Sequence, residues 1–537
     1  MLSINRRRLL QTALGASQLA LLSQFGLLSK PARAQVGSTT PSRLLSIWLD
    51  GGCHWESMFS PFTSAGIAKY MPAPAGDLYP FGYTAAQVER WDRQSHDPDE
   101  PGPVRGLRGP VYWNWDDPQA RSGVVPGSDG AQQFRPYGYA WADPTHKLYD
   151  KTCVLIGADQ GTASHQSGIV ASMSGVAGAT FRAPAVQAVV ANALSTRFPD
   201  RPLLNVALGG KLPVALGLPS IASPQSMSSL DSVAPTLSDR RDSSWLGLRT
   251  RSATADLARD GSDRSAQHAA GQGTIPRTVV DEAVARATRG LYGTGNAGTE
   301  AALETLYETY KDHSKTLSRD VLTTLSATPG FERLSNDPLY ANNTACTGNA
   351  DSCGPLSGTA PWDFALKLLK SELVTSVSLR ATSIANSSFD SHFANGPQIH
   401  ANHLRIAFES IGRMLIEMDL TDIGGGRTLL DDTLVYIYSD FGRTFPKTGS
   451  DHHPATCALL VGGGVVGNQM IGGYDERIDG SPLGAAVDLI SEDGTKETRA
   501  PKSQDIAATV LRAFALEPGT DFFIPGGYGV FDGALRV

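Results

Sequence analysis

The sequence lacks the short motifs of several common hydrolase and nucleotide-binding classes. Neither G-x-S-x-G nor H-E-x-x-H occurs in its 537 residues, which argues against an elbow-type serine hydrolase and against the common zinc proteases. The glycine run Gly462–Gly464 has no accompanying lysine or paired glycine spacing, so it predicts a tight turn and not a phosphate-binding loop. Beyond the first residues, no segment is long and apolar enough to cross a bilayer.

Residues 1–34 have the anatomy of a removed signal peptide. A basic head at Arg6–Arg8 is followed by an apolar run from Thr12 to Leu28 and by small residues at Ala32–Ala34. The stretch Asn5–Gln11 resembles the twin-arginine consensus, so we expect the twin-arginine machinery to export the folded protein to the periplasm or the cell exterior. A membrane anchor is the alternative, but polar residues interrupt the apolar run and leave it short of a span.

The composition is acidic. The formal net charge is −7, and removal of the signal takes away five basic residues and no acidic one, which gives −12. An acidic surface argues against a nucleic acid as the partner. It remains compatible with an anionic substrate, because a bound metal can reverse the local charge.

The chain contains only five cysteines, and none of them forms a C-x-x-C pair. Cys346 and Cys353 flank a polar loop, and in an oxidising compartment this spacing favours a local disulfide, with two free thiols as the alternative. Cys153 and Cys457 lie within apolar segments, which is typical of small core residues.

Short apolar segments without alternation predict strands that are buried on both faces of a parallel sheet. A helical pattern with apolar residues on one face covers His400–Met418. Strands and helices in alternation predict an α/β fold, namely a doubly wound, mostly parallel sheet with helices on both faces. The predicted strands are Leu44–Leu49, Cys153–Ile156, Val374–Leu379, Leu434–Tyr438 and Ala458–Val461.

We expect residues 35–537 to form a single domain with two loop-rich insertions. Residues 60–150 are rich in Pro, Gly, Trp and Tyr without periodicity, which suggests a cap or lid over the sheet edge. Residues 215–275 are rich in Ser, Asp, Arg and Gly, with few large apolar side chains, so we expect a flexible surface there.

Aspartates and histidines follow four of the predicted strands. Because ligand sites in open α/β sheets lie at the carboxyl ends of the strands, we expect these side chains to converge. Aspartate together with neutral histidine suits zinc, manganese or iron, whereas calcium or magnesium favours carboxylates alone. Five of the eleven histidines also lie between residues 392 and 453. The four segments are Asp50–His54, Asp159–His165, Phe389–His392 and Ser439–Thr444, the last of which is followed by Asp451–His453.

These segments resemble the motifs of the exported "domain of unknown function 1501" family. The S-E-F-G-R-T and D-H-x-P elements of the family match Ser439–Thr444 and Asp451–Pro454, and its W-D-T-H element matches Phe389–His392. Its early strand with a Gly-Gly turn matches Leu45–Gly52, and its S-H-F element resembles Ser164-His165. The resemblance follows most of the mature chain in order, apart from the two insertions.

That family is grouped with the alkaline phosphatase superfamily, so the resemblance implies an alkaline-phosphatase-like fold and an exported, metal-dependent hydrolase. The implied substrate is a phosphate or sulfate ester, either a small molecule or carried on a polymer. The implied cofactor is a divalent metal, zinc first, with manganese, iron or calcium as alternatives. Carried over, one ion is held by Asp390, His392 and one of His452 or His453, and a second by Asp50 and Asp440.

The resemblance also implies catalytic residues. Ser164, or alternatively Thr162, becomes the nucleophile at a helix N-terminus that offers backbone donors to an oxyanion, with His165 beside it. Arg443 supplies a forked contact to the phosphate or sulfate group. Ser164 also has a structural interpretation, since serine is a common helix N-cap.

The chain departs from the superfamily pattern in three places. Phe441 stands where a histidine commonly follows Asp440, which leaves the second ion one ligand short unless Asp451, His165 or His453 supplies it. The D-x-H spacing at Asp390 is tighter than in alkaline phosphatases proper. The sulfatase signature C-x-P-x-R is absent as well, because Cys353–Ser357 ends in serine, which argues against a formylglycine sulfatase.

These departures keep a second function class open, a non-catalytic exported binding or structural protein that retains the fold. Some candidate residues also have structural interpretations of their own. The structural alternative for Asp440 is an ion pair with Arg443, and the alternative for Asp50 is a turn residue. His400 and His403, three residues apart, are more typical of an exposed helix start than of a site.

Overall fold

The computed structural model describes the chain from residue 40 onward, with gaps. Apart from Lys69 and the short strands named below, the described residues are 40–55, 140–141, 145–176, 184–195, 197–198, 201–208, 224–227, 321–334, 360–381, 389–390, 392, 396–444, 451–479, 482–517, 524 and 527–536. The predicted signal peptide and the predicted Cys346–Cys353 disulfide lie outside these residues and stay predictions.

Twenty strands and five longer helices are defined within these residues. In chain order the strands are β1 (Arg43–Leu49), β2 (Leu78–Tyr79), β3 (Tyr83–Thr84), β4 (Val104–Arg105), β5 (Val124–Pro126), β6 (Gln132–Phe134), β7 (Thr152–Asp159), β8 (Leu203–Leu208), β9 (Gln225–Met227), β10 (Val374–Ala381), β11 (Asp422–Gly424), β12 (Arg427–Thr428), β13 (Thr433–Ser439), β14 (Gly442–Arg443), β15 (His452–His453), β16 (Ala455–Gly462), β17 (Gln469–Gly472), β18 (Val487–Ser491), β19 (Lys496–Arg499) and β20 (Gly529–Phe531). The helices are α1 (His165–Ser174), α2 (Val186–Leu194), α3 (Ala360–Lys370), α4 (Gly396–Leu420) and α5 (Ser503–Ala513).

One mixed sheet positions the residues of interest. Its strand order is β4-β17-β7-β16-β13-β1-β10-β8-β9, and β4 and β9 are short strands at its two edges. The pairs of β13 with β1, β1 with β10, β10 with β8 and β17 with β7 are parallel. This confirms an α/β protein with a mostly parallel sheet, and the five predicted strands coincide with β1, β7, β10, β13 and β16.

The prediction of a parallel strand at Ala458–Val461 is wrong. β16 is antiparallel to both of its neighbours, β13 and β7. A parallel return needs a crossover of a dozen or more residues, usually a helix, whereas the described residues between β13 and β16 form only the β14–β15 hairpin. All eight residues of β16 are nevertheless buried. An apolar run therefore reports burial on both faces and not strand direction.

Helices cover both faces of the sheet, as expected. On β1, Leu45 and Ile47 pack in one core with α3 and α4, while Leu44 and Trp48 face the opposite core with α2 and α5. This two-sided burial explains why the strands are continuous apolar runs. Each fully buried aliphatic side chain contributes roughly 1.5–3 kcal/mol to folding.

Only parts of the two predicted insertions fall within the described residues. From 60–150, the edge strand β4 pairs with β17, and Trp141 is buried with its ring 5.4 Å from that of Phe408 in α4. From 215–275, β9 pairs in parallel with β8 and its Met227 is buried. The structure also describes Lys69, β2, β3, β5, β6 and residues 140 and 145–150 of the first insertion, and residue 224 of the second, whereas their other residues lie outside the described part. Within the part that is described, no helix has the length and apolar character required to span a membrane.

Candidate metal centre

Four polypeptide segments meet at one edge of the sheet. β1, β10 and β13 run in parallel, and β7 shares their direction because both β7 and β13 are antiparallel to β16. Their carboxyl ends therefore lie together, followed by Asp50, Phe389–Asp390, Asp440 and the start of α1. The reversed direction of β16 brings its first residues, and β15 before them, to this same edge.

Three histidines and one aspartate form a cluster there. One ligand atom from each of His165, Asp390, His392 and His452 lies within 4.8 Å of the others, and the described part of the chain contains no other such group of three or more His, Cys, Asp or Glu residues. The Nε2 atom of His392 is 3.0 Å from Nε2 of His452 and 3.0 Å from Oδ1 of Asp390. The Nε2 atom of His165 is 3.6 Å from Oδ2 of Asp390.

The hairpin of β14 and β15 selects His452 over its neighbour His453. In this antiparallel pair, Arg443 is opposite His452 and Gly442 is opposite His453. Since successive strand residues face opposite sides, only one of two adjacent histidines can point at the cluster. His452 does so, while His453 is buried and its Nδ1 atom accepts a hydrogen bond from the Ala455 amide at 3.2 Å.

Oxygen acceptors on Nδ1 fix the orientation of two of the cluster imidazoles. The Nδ1 atom of His165 lies 2.7 Å from Oδ2 of Asp440, and Nδ1 of His452 donates to the carbonyl oxygen of Ala163 at 2.6 Å. With their protons on Nδ1, both rings present the Nε2 lone pair to the cluster. Histidines that bind metals typically donate their other ring N–H to a carboxylate or a backbone carbonyl, as these two do.

Asp440 is a supporting residue in this geometry. Its carboxylate is fully buried and also accepts hydrogen bonds from the indole of Trp48 and the amide of Gly51. Burial raises the pKa of Asp440, against the hydrogen bonds from His165 and Trp48 that lower it. The carboxylate is thus committed to three donors, one of which is the Nδ1 atom of His165.

Arg443 is fully buried, and its guanidinium binds the aspartate of the cluster. Its guanidinium donates to Oδ1 of Asp390 at 2.5 Å and to the carbonyl oxygen of Gly51. Burial alone raises the pKa of Asp390, but the hydrogen bond and charge of Arg443 outweigh it, so that this pKa lies below its ordinary value. Asp390 therefore stays a carboxylate, which is the form that binds a metal.

The two other candidate carboxylates are placed differently. Asp50 pairs with Arg380, and its carbonyl oxygen accepts the amide of Phe389 at 2.6 Å. Asp451 is 78% exposed, accepts the His452 amide at 2.8 Å and has Oδ1 3.8 Å from Nδ1 of His392. Neither belongs to the four-residue cluster, although Asp451 borders it.

The candidate nucleophiles lie on the exposed rim. Ser164 is the N-cap of α1, yet its hydroxyl makes no capping hydrogen bond, and its amide donates to Oγ1 of Thr162 at 3.2 Å. Ser164 is exposed and Thr162 is half-buried. Both precede His165 at the start of α1, where backbone donors are free of intrahelical partners.

Histidine pKa values in the cluster move in opposite directions. The hydrogen bond to Asp440 raises the pKa of His165, although burial opposes it. Burial lowers the pKa of His452, despite the Ala163 carbonyl that raises it. Phe441 contributes to this burial, with its ring 4.7 Å from that of His165 and 4.2 Å from that of His452.

The donor set fits a borderline divalent cation. Three imidazole nitrogens and one carboxylate oxygen are ligands that zinc, manganese and iron accept, and the set is poor in the oxygens that calcium needs. The structure gathers this set into one group, whereas the resemblance implies ligands divided between two ions, with His165 only as a substitute ligand of the second.

Sequence reasoning missed several residues that support the cluster. Trp48 and Arg380 occupy strands and reach Asp440 and Asp50, which a linear motif does not reveal. His400 is fully buried and not at an exposed helix start, whereas the side chain of His403 is outside the described residues. A signal for His400 existed, because it stands four residues before the buried Leu404 and so extends the apolar stripe of α4 by one turn.

Comparison with known proteins identifies the family. A family model described as "Protein of unknown function (DUF1501)" matches residues 139–527, which is more than half of the chain. No curated protein and no solved structure shows a significant match. The resemblance noted in the motifs is thereby confirmed, and the chain belongs to the DUF1501 family.

Proposed function

We propose that this protein is an exported metal-dependent hydrolase of phosphate or sulfate esters, built on an alkaline-phosphatase-like fold. The observation that carries the proposal is the cluster of His165, Asp390, His392 and His452 at the carboxyl edge of the sheet. We assign one divalent ion to this cluster, zinc first, with manganese or iron as alternatives. Calcium is a weaker alternative, because three of the four donors are imidazoles.

The charge balance supports an anionic substrate. Among the described residues at the cluster, Asp390, Asp440 and the bordering Asp451 carry negative charge against the buried Arg443, so the site is negative when the histidines are neutral. A bound divalent ion offsets this charge and presents a local positive charge to a substrate. A bound cation attracts an ester anion, even on an acidic protein.

Some side chains support the metal ligands, and another is the proposed reacting group. A divalent ion bound here supplies Lewis-acid polarisation and lowers the pKa of a hydroxyl next to it. Asp440 orients His165, and Arg443 keeps Asp390 ionised, so both act on the ligands. Ser164 is our proposed nucleophile, since it is exposed beside His165 at a helix N-terminus whose backbone donors face an oxyanion.

Hydrolysis of chromogenic esters by metal-loaded protein tests the proposal. We expect turnover of p-nitrophenyl phosphate or p-nitrophenyl sulfate by residues 35–537, and a loss of at least about a hundredfold in kcat/KM for His392→Ala. The matched control is His146→Ala, because His146 precedes β7 at the opposite end of that strand. Equal activity in both variants would contradict the assignment.

The nucleophile is tested separately from the metal. We expect Ser164→Ala to retain the metal but to lose at least about a hundredfold in kcat. Ser167→Ala, which changes a serine one turn further along α1, serves as the control. Full activity of Ser164→Ala would move the nucleophilic role to Thr162, to be tested with Thr162→Val, or to water.

Two observations favour a second candidate, a non-catalytic metal-binding protein. Phe441 fills the position after Asp440, and Asp50 pairs with Arg380, so both features disfavour a second ion beside the first. Metal uptake that depends on His392 without turnover of any phosphate or sulfate ester would support this candidate against the hydrolase.

Export by the twin-arginine route is the remaining part of the proposal. The resemblance to the twin-arginine consensus depends on Arg6 and Arg7. A pair of lysines at these positions keeps the positive charge but removes the two arginines that define the consensus. We expect the Arg6→Lys, Arg7→Lys precursor to accumulate inside the cell, as measured by fractionation. Normal export of the variant would indicate a general secretory signal.

A further inference from the structure

His400 is a buried histidine that lies behind the cluster. The proposed function assigns no role to this residue. His400 lies in the second turn of α4 with no exposed surface, and it forms hydrogen bonds with two backbone groups. Its Nε2 atom accepts the backbone amide of His54 at 3.1 Å, and its Nδ1 atom is 3.0 Å from the carbonyl oxygen of Phe389. The imidazole thus bridges the loop after β1 and the loop after β10.

These two partners fix the tautomer of His400. A backbone amide only donates, so Nε2 must carry a lone pair. A backbone carbonyl only accepts, so Nδ1 must carry the proton. His400 is therefore neutral, with its proton on Nδ1, and it donates to Phe389 while it accepts from His54.

The carbonyl that His400 holds belongs to the peptide group that enters Asp390. The preceding peptide is held as well, because the Phe389 amide donates to the carbonyl oxygen of Asp50 at 2.6 Å. Gly51 packs against the same backbone, since a Cβ atom on Gly51 would lie 2.4 Å from the Asp390 nitrogen. Hydrogen bonds to the amide and the carbonyl of Phe389, together with the close contact of Gly51, therefore fix the backbone that leads into Asp390.

We propose that His400 is a positioning residue of the metal centre, which fixes the Phe389–Asp390 peptide so that the Asp390 carboxylate faces His165, His392 and His452. The inference rests on the proposed metal-dependent function. It adds a residue from α4 to a centre otherwise built from strand ends. Support behind ligands of this kind typically accounts for a 10–100-fold effect on metal affinity.

Two substitutions separate the hydrogen bonds of His400. His400→Asn places an amide NH2 near the former Nδ1 position and preserves the donation to Phe389. His400→Gln places an amide oxygen near the former Nε2 position and preserves the bond from His54. Each variant loses one hydrogen bond and some volume, so a purely structural role predicts similar thermal stability and similar metal affinity for both.

The test measures metal affinity and backbone hydrogen exchange in residues 35–537 of wild type and both variants. We expect zinc to bind His400→Gln about 10–100-fold more weakly than wild type, and His400→Asn to stay closer to wild type. In metal-free protein, we expect the amides of the peptide that contains Phe389 and Asp390 to exchange faster in His400→Gln than in His400→Asn.

Equal zinc affinity in the two variants, or unchanged exchange in His400→Gln, would overturn the positioning role. A wild type that takes up no zinc, manganese or iron would instead overturn the proposed function. In that case the exchange measurement still decides whether His400 holds the Asp390 backbone, because it is made without metal. The failures of the two proposals are therefore distinguishable.

Discussion

At the scale of single residues, Asp440 is the most heavily committed side chain near the cluster. Its carboxylate accepts hydrogen bonds from Trp48, Gly51 and His165 and has no exposed surface. Because the three hydrogen-bond partners of this carboxylate are donors, a donor group in place of one of its oxygens would face another donor. Its function is then to hold the proton of His165 on Nδ1 and to leave Nε2 available to a cation.

We predict that Asp440→Asn weakens metal binding about 10–100-fold. The variant should also be destabilised by about 1–3 kcal/mol, because the asparagine NH2 group faces donors in a buried site. Isothermal titration with zinc and thermal unfolding measure the two effects. Asp488→Asn, on the separate sheet of β18–β20, is the control, and a wild-type zinc affinity for Asp440→Asn would remove its supporting role.

At the scale of elements, the turn after β1 sets the distance between the two neighbouring loops. Gly51 has φ +114 and leaves no room for a Cβ atom against the backbone of Phe389 and Asp390. Gly52 has φ +85, and a Cβ atom there would lie 2.5 Å from the ring of Phe441. The Gly-Gly pair is therefore a requirement of both conformation and close approach.

We predict that Gly51→Ala displaces Asp390 and weakens metal binding, because a backbone neighbour has little freedom to yield. Gly425→Ala is the matched control, since Gly425 has φ +70 but no atom within 4 Å of a Cβ atom. The control should lose about 1–2 kcal/mol from left-handed strain alone and keep its metal affinity. Equal metal affinities would show that the turn does not position Asp390.

Helix α4 is anchored at its carboxyl end by a buried carboxylate. Glu417 accepts the amides of Glu332, Arg333 and Leu334 and the ammonium of Lys370, at 2.5 Å from the latter. Burial alone raises the pKa of Glu417, but these hydrogen bonds outweigh it and lower the pKa below its ordinary value. One side chain thus joins α3, α4 and the segment 332–334.

We predict that Glu417→Gln costs about 2–4 kcal/mol of stability at neutral pH, because it leaves the buried Lys370 without its counter-charge. Since the folded-state pKa is depressed, the stabilisation is fully present above the unfolded pKa of about 4.3 and disappears as pH falls through the folded value. Thermal unfolding against pH should show the variant and the wild type converge in acid. The exposed Glu492→Gln should change stability by less than about 0.5 kcal/mol.

At the scale of the whole molecule, the sequence predicted the layers and the edge at which the site lies. Apolar runs identified β1, β7, β10, β13 and β16 because all five are buried on both faces. The sequence also predicted that the segments after four strands converge at this end of the sheet, and the structure brings His165, Asp390, His392 and His452 from three of these segments together.

Contacts between distant segments are what the sequence left undetermined. The direction of β16 depends on its connection and not on its composition, and that direction brings His452 to the cluster. The pairing of Asp50 with Arg380 spans 330 positions and has no motif. Which of two adjacent histidines faces the cluster likewise depends on the register of β14 with β15.

Elemental analysis of purified residues 35–537 after exhaustive dialysis tests the central claim, a single metal centre formed by His165, Asp390, His392 and His452. We predict close to one equivalent of zinc, manganese or iron per chain, lost in His392→Ala and in Asp390→Ala while both variants remain folded by circular dichroism. A chain that holds no metal and takes up none on reconstitution, or variants that keep the wild-type content, would contradict the claim.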